Sequence, residues 1–410
     1  MVKQKNLLIF ILTVGVFGIL NTEMGFIGIL PEIADHFNVS VSTAGWLVSI
    51  FAIGVAISGP TMPLLFSGIN RKKVMVLVLS VFVLGNIISI FTSNFIVLLI
   101  ARIIPALFHP VYVSLAFSVA ADSVSKEEAP RPVSKIFIGV SAGMVVGVPI
   151  VSFIASVSNL QIAMAFFAIV NIIVLIATLL FVPSIPVKEK ISYGSQLNVL
   201  KKSITWLSII VVILLNSAIF GVYSYLAVYL QTITNTSANI TTLILFIFGA
   251  ANIIGNILAG RLLTFNPIKT IVSLPILLGV VYIILFFTGQ FTLPMAIITL
   301  IWGILAGIAA NINQYVVTSS VPEAPDFANG LFLSSANIGT TIGSAVGGLF
   351  ISAMGTQYVV LAGILSIILS VVFILLRNYK YSSEKNCRDE RKISVIFIVK
   401  SILFRDTFFN

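Results

Sequence analysis

The sequence predicts an all-α membrane protein of twelve transmembrane helices, arranged as two pseudo-symmetric six-helix bundles. Three observations predict it. Mean hydropathy is +1.14 and charged residues are only 9 % of the chain, too few to cover a water-facing surface for 410 residues. Apolar runs long enough to cross a bilayer core, which takes about 20 helical residues, recur twelve times. A ladder of small residues in the fifth run returns in the eleventh, shifted by 200 positions.

The first six spans read as 7–30, 42–66, 74–92, 95–121, 134–157 and 161–182, and together form an N-terminal bundle over 1–182. The polar stretch 183–204, PSIPVKEKISYGSQLNVLKKSI, separates it from a C-terminal bundle over 205–377. That bundle holds spans 205–230, 239–263, 269–289, 292–318, 328–353 and 358–377. Span five carries Gly139, Gly143 and Gly147, and span eleven carries Gly339, Gly343 and Gly347. Small residues four apart let two helix backbones approach closely. Their common offset marks an internal repeat, a construction that places a transport site between the two halves. The tail, 378–410, is a charged run followed by an apolar stretch interrupted by Lys400 and Arg405. It is too short to span and is suited to the membrane interface.

Basic residues orient the chain. Arg71, Lys72 and Lys73, then Lys126 and Arg131, then Lys188, Lys190, Lys201 and Lys202, then Lys269 fall in alternate connections, whereas 31–41 and 231–238 hold none. The positive-inside rule therefore puts both termini and the 183–204 linker in the cytoplasm, in a multi-pass protein of the cell (inner or plasma) membrane. The net charge of +10 is spread over these loops, which excludes a nucleic-acid partner. One cysteine, Cys387, gives no disulfide framework and no thiolate metal site. The N-terminal run has no small-residue cleavage signal and reads as a first spanning helix.

Ionisable groups inside the spans are few: Glu23, Arg102 and His109, with Asp122, Lys135 and Arg261 near the inner ends. A charge at mid-bilayer costs about 2.5–3.5 kcal/mol on the insertion scale, so such a group faces a partner or a water-filled path. Glu23 and Arg102 each lie about seven residues, or about 10 Å, from the outer ends of spans one and four. His109 shares the face of Arg102 one heptad deeper, beside Pro105 and Pro110. Histidine titrates near neutrality, so this set is suited to exchange a proton. Arg102 equally suits a structural tie from span four to a neighbour's backbone, and His109 a hydrogen-bonded core residue. Neutral polar side chains mark a substrate cavity: Asn21, Thr22, Tyr112, Asn216, Tyr223, Asn252, Asn311, Gln314 and Asn337. Each of these also suits a hydrogen bond between helices.

Several stretches are distinctive: Thr22-Glu23, GILPEIA (28–34), VS-x-x-AGWLVS (41–49) and GP (59–60); GVP (147–149), with Pro149 after the glycine ladder; GNILAGR (255–261); and ANGLFLSSANIGTTIGSAVGG (328–348). With Arg102 and His109 they resemble the major facilitator superfamily over residues 1–377. Within it they resemble the twelve-span drug:proton antiporter branch, and there the arabinose, sugar and purine efflux permeases. The resemblance implies gating and packing roles for the two glycine ladders, Pro149, Arg71, Lys72 and Arg261, and a cavity lined by spans 1, 4, 7 and 10. The loop after span two departs from the family pattern, which has an acid, an arginine and a glycine where this chain has Ser67, Gly68 and Asn70. Span five has Ile150-Val151 where the family has small residues.

The expectation is a non-enzymatic secondary transporter without cofactor or metal. It exports a small organic solute (sugar, nucleobase, nucleoside or drug, hence a multidrug-resistance type of activity) in exchange for protons, as a monomer in the lipid bilayer. A proton-independent facilitator or importer, or a non-transporting sensor on the same fold, are the alternatives.

Overall fold

A computed structural model describes residues 2–187 and 193–381, so Lys188, Lys190 and the tail from 382 onward, with Cys387, Lys400 and Arg405, lie outside the described residues. The described chain is helical, with eleven helices long and apolar enough to cross a membrane and a shorter apolar helix, Trp46–Ser58, at the place of span two. Span two is broken where the sequence suggested continuity. Val41–Ala44, Trp46–Ser58 and Met62–Phe66 are separate helices; at the second break Pro60 and Pro63 withdraw two backbone donors from the run.

Other spans are irregular at defined points. Span one runs as an α-helix over Val2–Gly25, tightens to a 3-10 turn over Phe26–Ile29 and resumes over Leu30–His36. Span five changes register through a π-turn, Gly143–Gly147, just before Pro149. Proline has no N–H to offer the Val145 carbonyl, and a widened turn is one way to absorb that loss. Span seven breaks between Ser203–Tyr223 and Leu226–Thr232.

The glycine ladders carry the tightest packing. A Cβ on Gly139 would meet the backbone oxygen of Thr13, one on Gly143 the backbone nitrogen of Asn21, and one on Gly147 the Asn21 side chain. In the other half, Gly339 lies on the Ile213 backbone, Gly343 on the Ser217 and Gly221 backbone, and Gly347 on the Gly221 oxygen. Span five thus packs on span one as span eleven packs on span seven. Hydrogen bonds reinforce the second seam: Ser217 donates to the Gly339 oxygen and Asn216 to the Ala336 oxygen, both at 2.8 Å.

Apolar cores fill each half. One joins Leu12, Val78, Phe82 and Phe117 to Phe327 and Phe332 of span eleven, so the halves share a core near the linker. A second holds Leu215, Tyr282, Trp302 and Ile312 in the second half. A third, with Phe26, Ile33, Leu98 and Phe167, closes the opposite end of the first half.

Candidate functional site

The 3-10 turn at Phe26–Ile29 sets the geometry around Glu23. Just before this turn, Arg102 reaches two main-chain oxygens of span one. Its Nη1 donates to the Thr22 oxygen at 2.6 Å and its Nη2 to the Glu23 oxygen at 3.1 Å. The guanidinium lies over two aromatic rings, 3.9 Å from the Phe26 centroid and 4.5 Å from that of Phe51. Such a sandwich suits the weakly hydrated, planar cation of arginine.

With Arg102 occupied by main chain, the Glu23 carboxylate finds another partner. Its Oε2 lies 3.1 Å from His109 Nε2, with side-chain exposures of 12 % and 5 %. This is contact at ion-pair distance without hydrogen-bond alignment, and His109 Nδ1 has no hydrogen-bond partner either. The Phe51 ring stands edge-on to the imidazole, centroids 5.9 Å apart. Phe51 therefore walls both His109 and Arg102 on one side.

The neutral candidates separate into groups. Thr22 belongs to a buried node inside the first bundle: its hydroxyl donates to the Gly18 oxygen at 3.0 Å and accepts from Asn171 at 2.9 Å and Asn86 at 3.3 Å. Tyr112 is fully buried against Gly15 of span one. Asn21 is also fully buried, its amide pressed on Gly147 without a hydrogen-bond partner. Asn216 accepts from Asn313 at 2.9 Å, joining spans seven, ten and eleven. Asn337 donates to Leu333 within its own helix. Tyr223 stacks on Phe248 with centroids 4.4 Å apart, and Phe248 meets Trp302 at 5.1 Å.

Asn252 and Asn311 meet at the seam between the halves. Ser141 of span five donates to Asn252 Oδ1 at 2.6 Å, and Asn256 donates to Ser141 Oγ at 2.7 Å. Asn311 donates to Asn256 Oδ1 at 2.8 Å. A second chain crosses nearer the linker: Gln314 donates to Asn329 Oδ1 at 2.8 Å and Asn329 to Ser118 Oγ at 3.1 Å. Asn311, Gln314, Asn329 and Ser118 line a cavity of about 640 Å³ between the halves, within the range of small-molecule pockets.

The loop residues are placed as follows. Arg71 pairs with Asp122 at 2.6 Å, Lys72 donates to the Leu179 oxygen at 2.9 Å, and Arg261 is exposed at the linker end of span eight. Sequence reading did not single out Ser118, Ser141, Asn171 or Asn329, whose types are common in spans and carry no pattern. Nor did it find the role of Arg377, buried at the end of span twelve, which donates to the Val316 oxygen and to the Ser319 and Ser320 hydroxyls. Asp326, in the first turn of span eleven, is 8 % exposed with Oδ1 unpartnered; in sequence it reads as an ordinary helix-start acid.

Known proteins share this architecture. The sequence profile of the Major Facilitator Superfamily matches residues 12–326 and 235–409. The chain is 31 % identical over 384 residues to the MFS-type transporter YtbD of Bacillus subtilis, covering 92 % of this chain and 96 % of that protein. It is 27 % identical over 361 residues to a probable sugar efflux transporter of Pasteurella multocida, covering 88 % and 89 %. The crystal structure of the human organic anion transporter MFSD10 superposes with a TM-score of 0.76 at 15 % identity, covering 90 % of this chain and 99 % of that one. The chain is therefore a member of the Major Facilitator Superfamily and a multi-pass membrane transporter.

Proposed function

We propose that the protein exports a small organic solute across the cell membrane in exchange for protons, by alternating access of the site between two six-helix halves. Both termini and the linker lie on the cytoplasmic side, and the functional unit is the monomer. The observation that carries this reading is the buried contact between Glu23 Oε2 and His109 Nε2. A carboxylate and an imidazole in contact share one proton readily, and histidine changes charge near neutral pH. Arg102 holds the Thr22 and Glu23 main chain through its two terminal guanidinium nitrogens, which keeps the carboxylate aimed at His109.

The solute is small and neutral or weakly polar: Ser118, Asn311, Gln314 and Asn329 offer neutral hydrogen-bonding groups to the cavity between the halves, and its two charged lining residues, Asp122 and Lys126, are of opposite sign. Sugars are the first class to test, because relatives carry the name of probable sugar efflux transporters; nucleobases and drugs follow. Protonation of the Glu23–His109 pair and occupation of the cavity alternate. Each state favours opening to one side, and the cycle couples the two fluxes.

Inverted vesicles test the coupling. With an imposed proton gradient, the parent protein should accumulate a substrate found in a panel of sugars, nucleobases and drugs. Glu23→Gln should abolish uphill accumulation and retain counterflow, since glutamine keeps the shape and removes the titration. Uphill transport by Glu23→Gln would refute the assignment.

A further inference from the structure

Thr22 stands directly before Glu23 and is held at both ends. Its hydroxyl donates to the Gly18 oxygen of its own helix and accepts from Asn171 of span six and Asn86 of span three. One proton and two lone pairs are all engaged, so the hydroxyl is saturated. Its carbonyl accepts from Arg102 of span four at 2.6 Å. Asn171 also donates to the Gly18 oxygen, one turn earlier, at 3.3 Å. Thr22, Asn86 and Asn171 are all buried.

The second half is held differently at this level. At the offset of 200 that relates the two seams, Thr22 becomes Val222 and Gly18 becomes Ala218. There Tyr282 of span nine donates to the Ala218 oxygen at 2.7 Å, and Val222 has no hydroxyl to offer. The three-sided grip on Thr22 thus belongs to the half whose next residue is an acid. Packing alone would hold either helix in the bundle. However, ridges and grooves repeat with each turn, about 5.4 Å along the axis, so packing alone admits more than one height. A satisfied buried polar node admits one.

We infer that Asn171, with Asn86, positions the proton site: through the Thr22 hydroxyl the two asparagines fix the height of span one and so set Glu23 opposite His109. The inference rests on the coupling role proposed for Glu23. Both asparagines act through Thr22 rather than on the carboxylate. With Arg102 on the Thr22 carbonyl, spans three, four and six all fix the same residue, and the first half carries Glu23 as one rigid body.

Cross-linking reads the height of span one without substrate or proton gradient. Glu23→Cys and His109→Cys are combined in a Cys387→Ser background, so that the backbone alone places the two thiols, and a short thiol-to-thiol linker joins them. Asn171→Leu and Thr22→Val, each close in volume to the residue replaced, should lower the yield of the short linker relative to a longer one. The fall should be roughly threefold, the scale of one hydrogen bond between membrane helices. Thr22→Ser keeps the hydroxyl and should match the cysteine pair alone. All are measured on the monodisperse fraction, so a loss of stability by itself leaves the ratio unchanged. If Asn171→Leu does not fold, Thr22→Val against Thr22→Ser decides. An unchanged ratio in folded Asn171→Leu or Thr22→Val, or a fall in Thr22→Ser as large as in Thr22→Val, overturns the assignment. With Glu23 and His109 in place, Asn171→Leu should lose uphill accumulation and keep counterflow. A lowered cross-link with uphill accumulation intact would leave the positioning standing and overturn the coupling role of Glu23 instead.

Discussion

Arg102 holds Glu23 by its main chain: the guanidinium donates to the Glu23 backbone oxygen at 3.1 Å, while the Glu23 carboxylate turns to His109. Removing Arg102 therefore removes two buried charged hydrogen bonds as well as a charge. Arg102→Ala should destabilise the protein by about 2–3 kcal/mol, the range for a charged hydrogen-bond donor with buried acceptors. Arg102→Lys should recover part of that, since an ammonium cannot match the two-pronged grip. Thermal unfolding of the purified protein measures both.

His109 should behave differently. Its imidazole has no hydrogen-bond partner to lose, so His109→Gln should leave the unfolding temperature nearly unchanged. Proton-driven transport should instead lose its dependence on pH. A pH profile that keeps its shape would make His109 a spectator to Glu23.

The glycine seams set a steric limit. Gly139→Leu and Gly343→Leu each drive a side chain into a neighbouring backbone, at Thr13 and at Ser217. Overpacking against backbone costs at least about 1–3 kcal/mol, and the folded yield of both variants should fall. Gly194→Leu, at a position with nothing within 4 Å of an added Cβ, should express like the parent. Size-exclusion profiles compare the three.

Asn256 ties the two halves near mid-depth, donating to Ser141 and accepting from Asn311. Asn256→Ala should cost about 1 kcal/mol, typical of hydrogen bonds between membrane helices. Combined with Ser141→Ala, it should cost less than the sum of the single changes, because the two share one bond. A double-mutant cycle in unfolding free energy gives the coupling.

Topology has a direct chemical test. In a Cys387→Ser background, a cysteine at Gln231 should react with an impermeant maleimide on intact cells. One at Lys201 should react only after the membrane is opened. The reverse pattern would invert the orientation drawn from the basic loops.

Much of this architecture is legible in the sequence because its signals are local. Apolar length gives the spans, and glycine spacing gives the two seams. Glu23 and His109 stand out because ionisable groups in apolar runs are rare. The break in span two was less legible, since hydropathy passes smoothly through Gly59–Pro60 while backbone donors do not. The acceptors of Arg102 were invisible for a related reason: they are main-chain oxygens, present at every residue and marked by no side chain. Thr22 illustrates a third limit. Its place in a node with Asn86 and Asn171 depends on which helices flank span one, and that is a property of the assembled bundle.

The matching seams make the remaining differences informative. Thr13 lies under Gly139 as Ile213 lies under Gly339, and the Asn21 nitrogen meets Gly143 as the Gly221 nitrogen meets Gly343. At the same offset of 200 the position of Glu23 is taken by Tyr223, an aromatic ring stacked on Phe248. The two joints are alike in backbone and unlike in charge, so a carboxylate stands beside one and an oily platform beside the other.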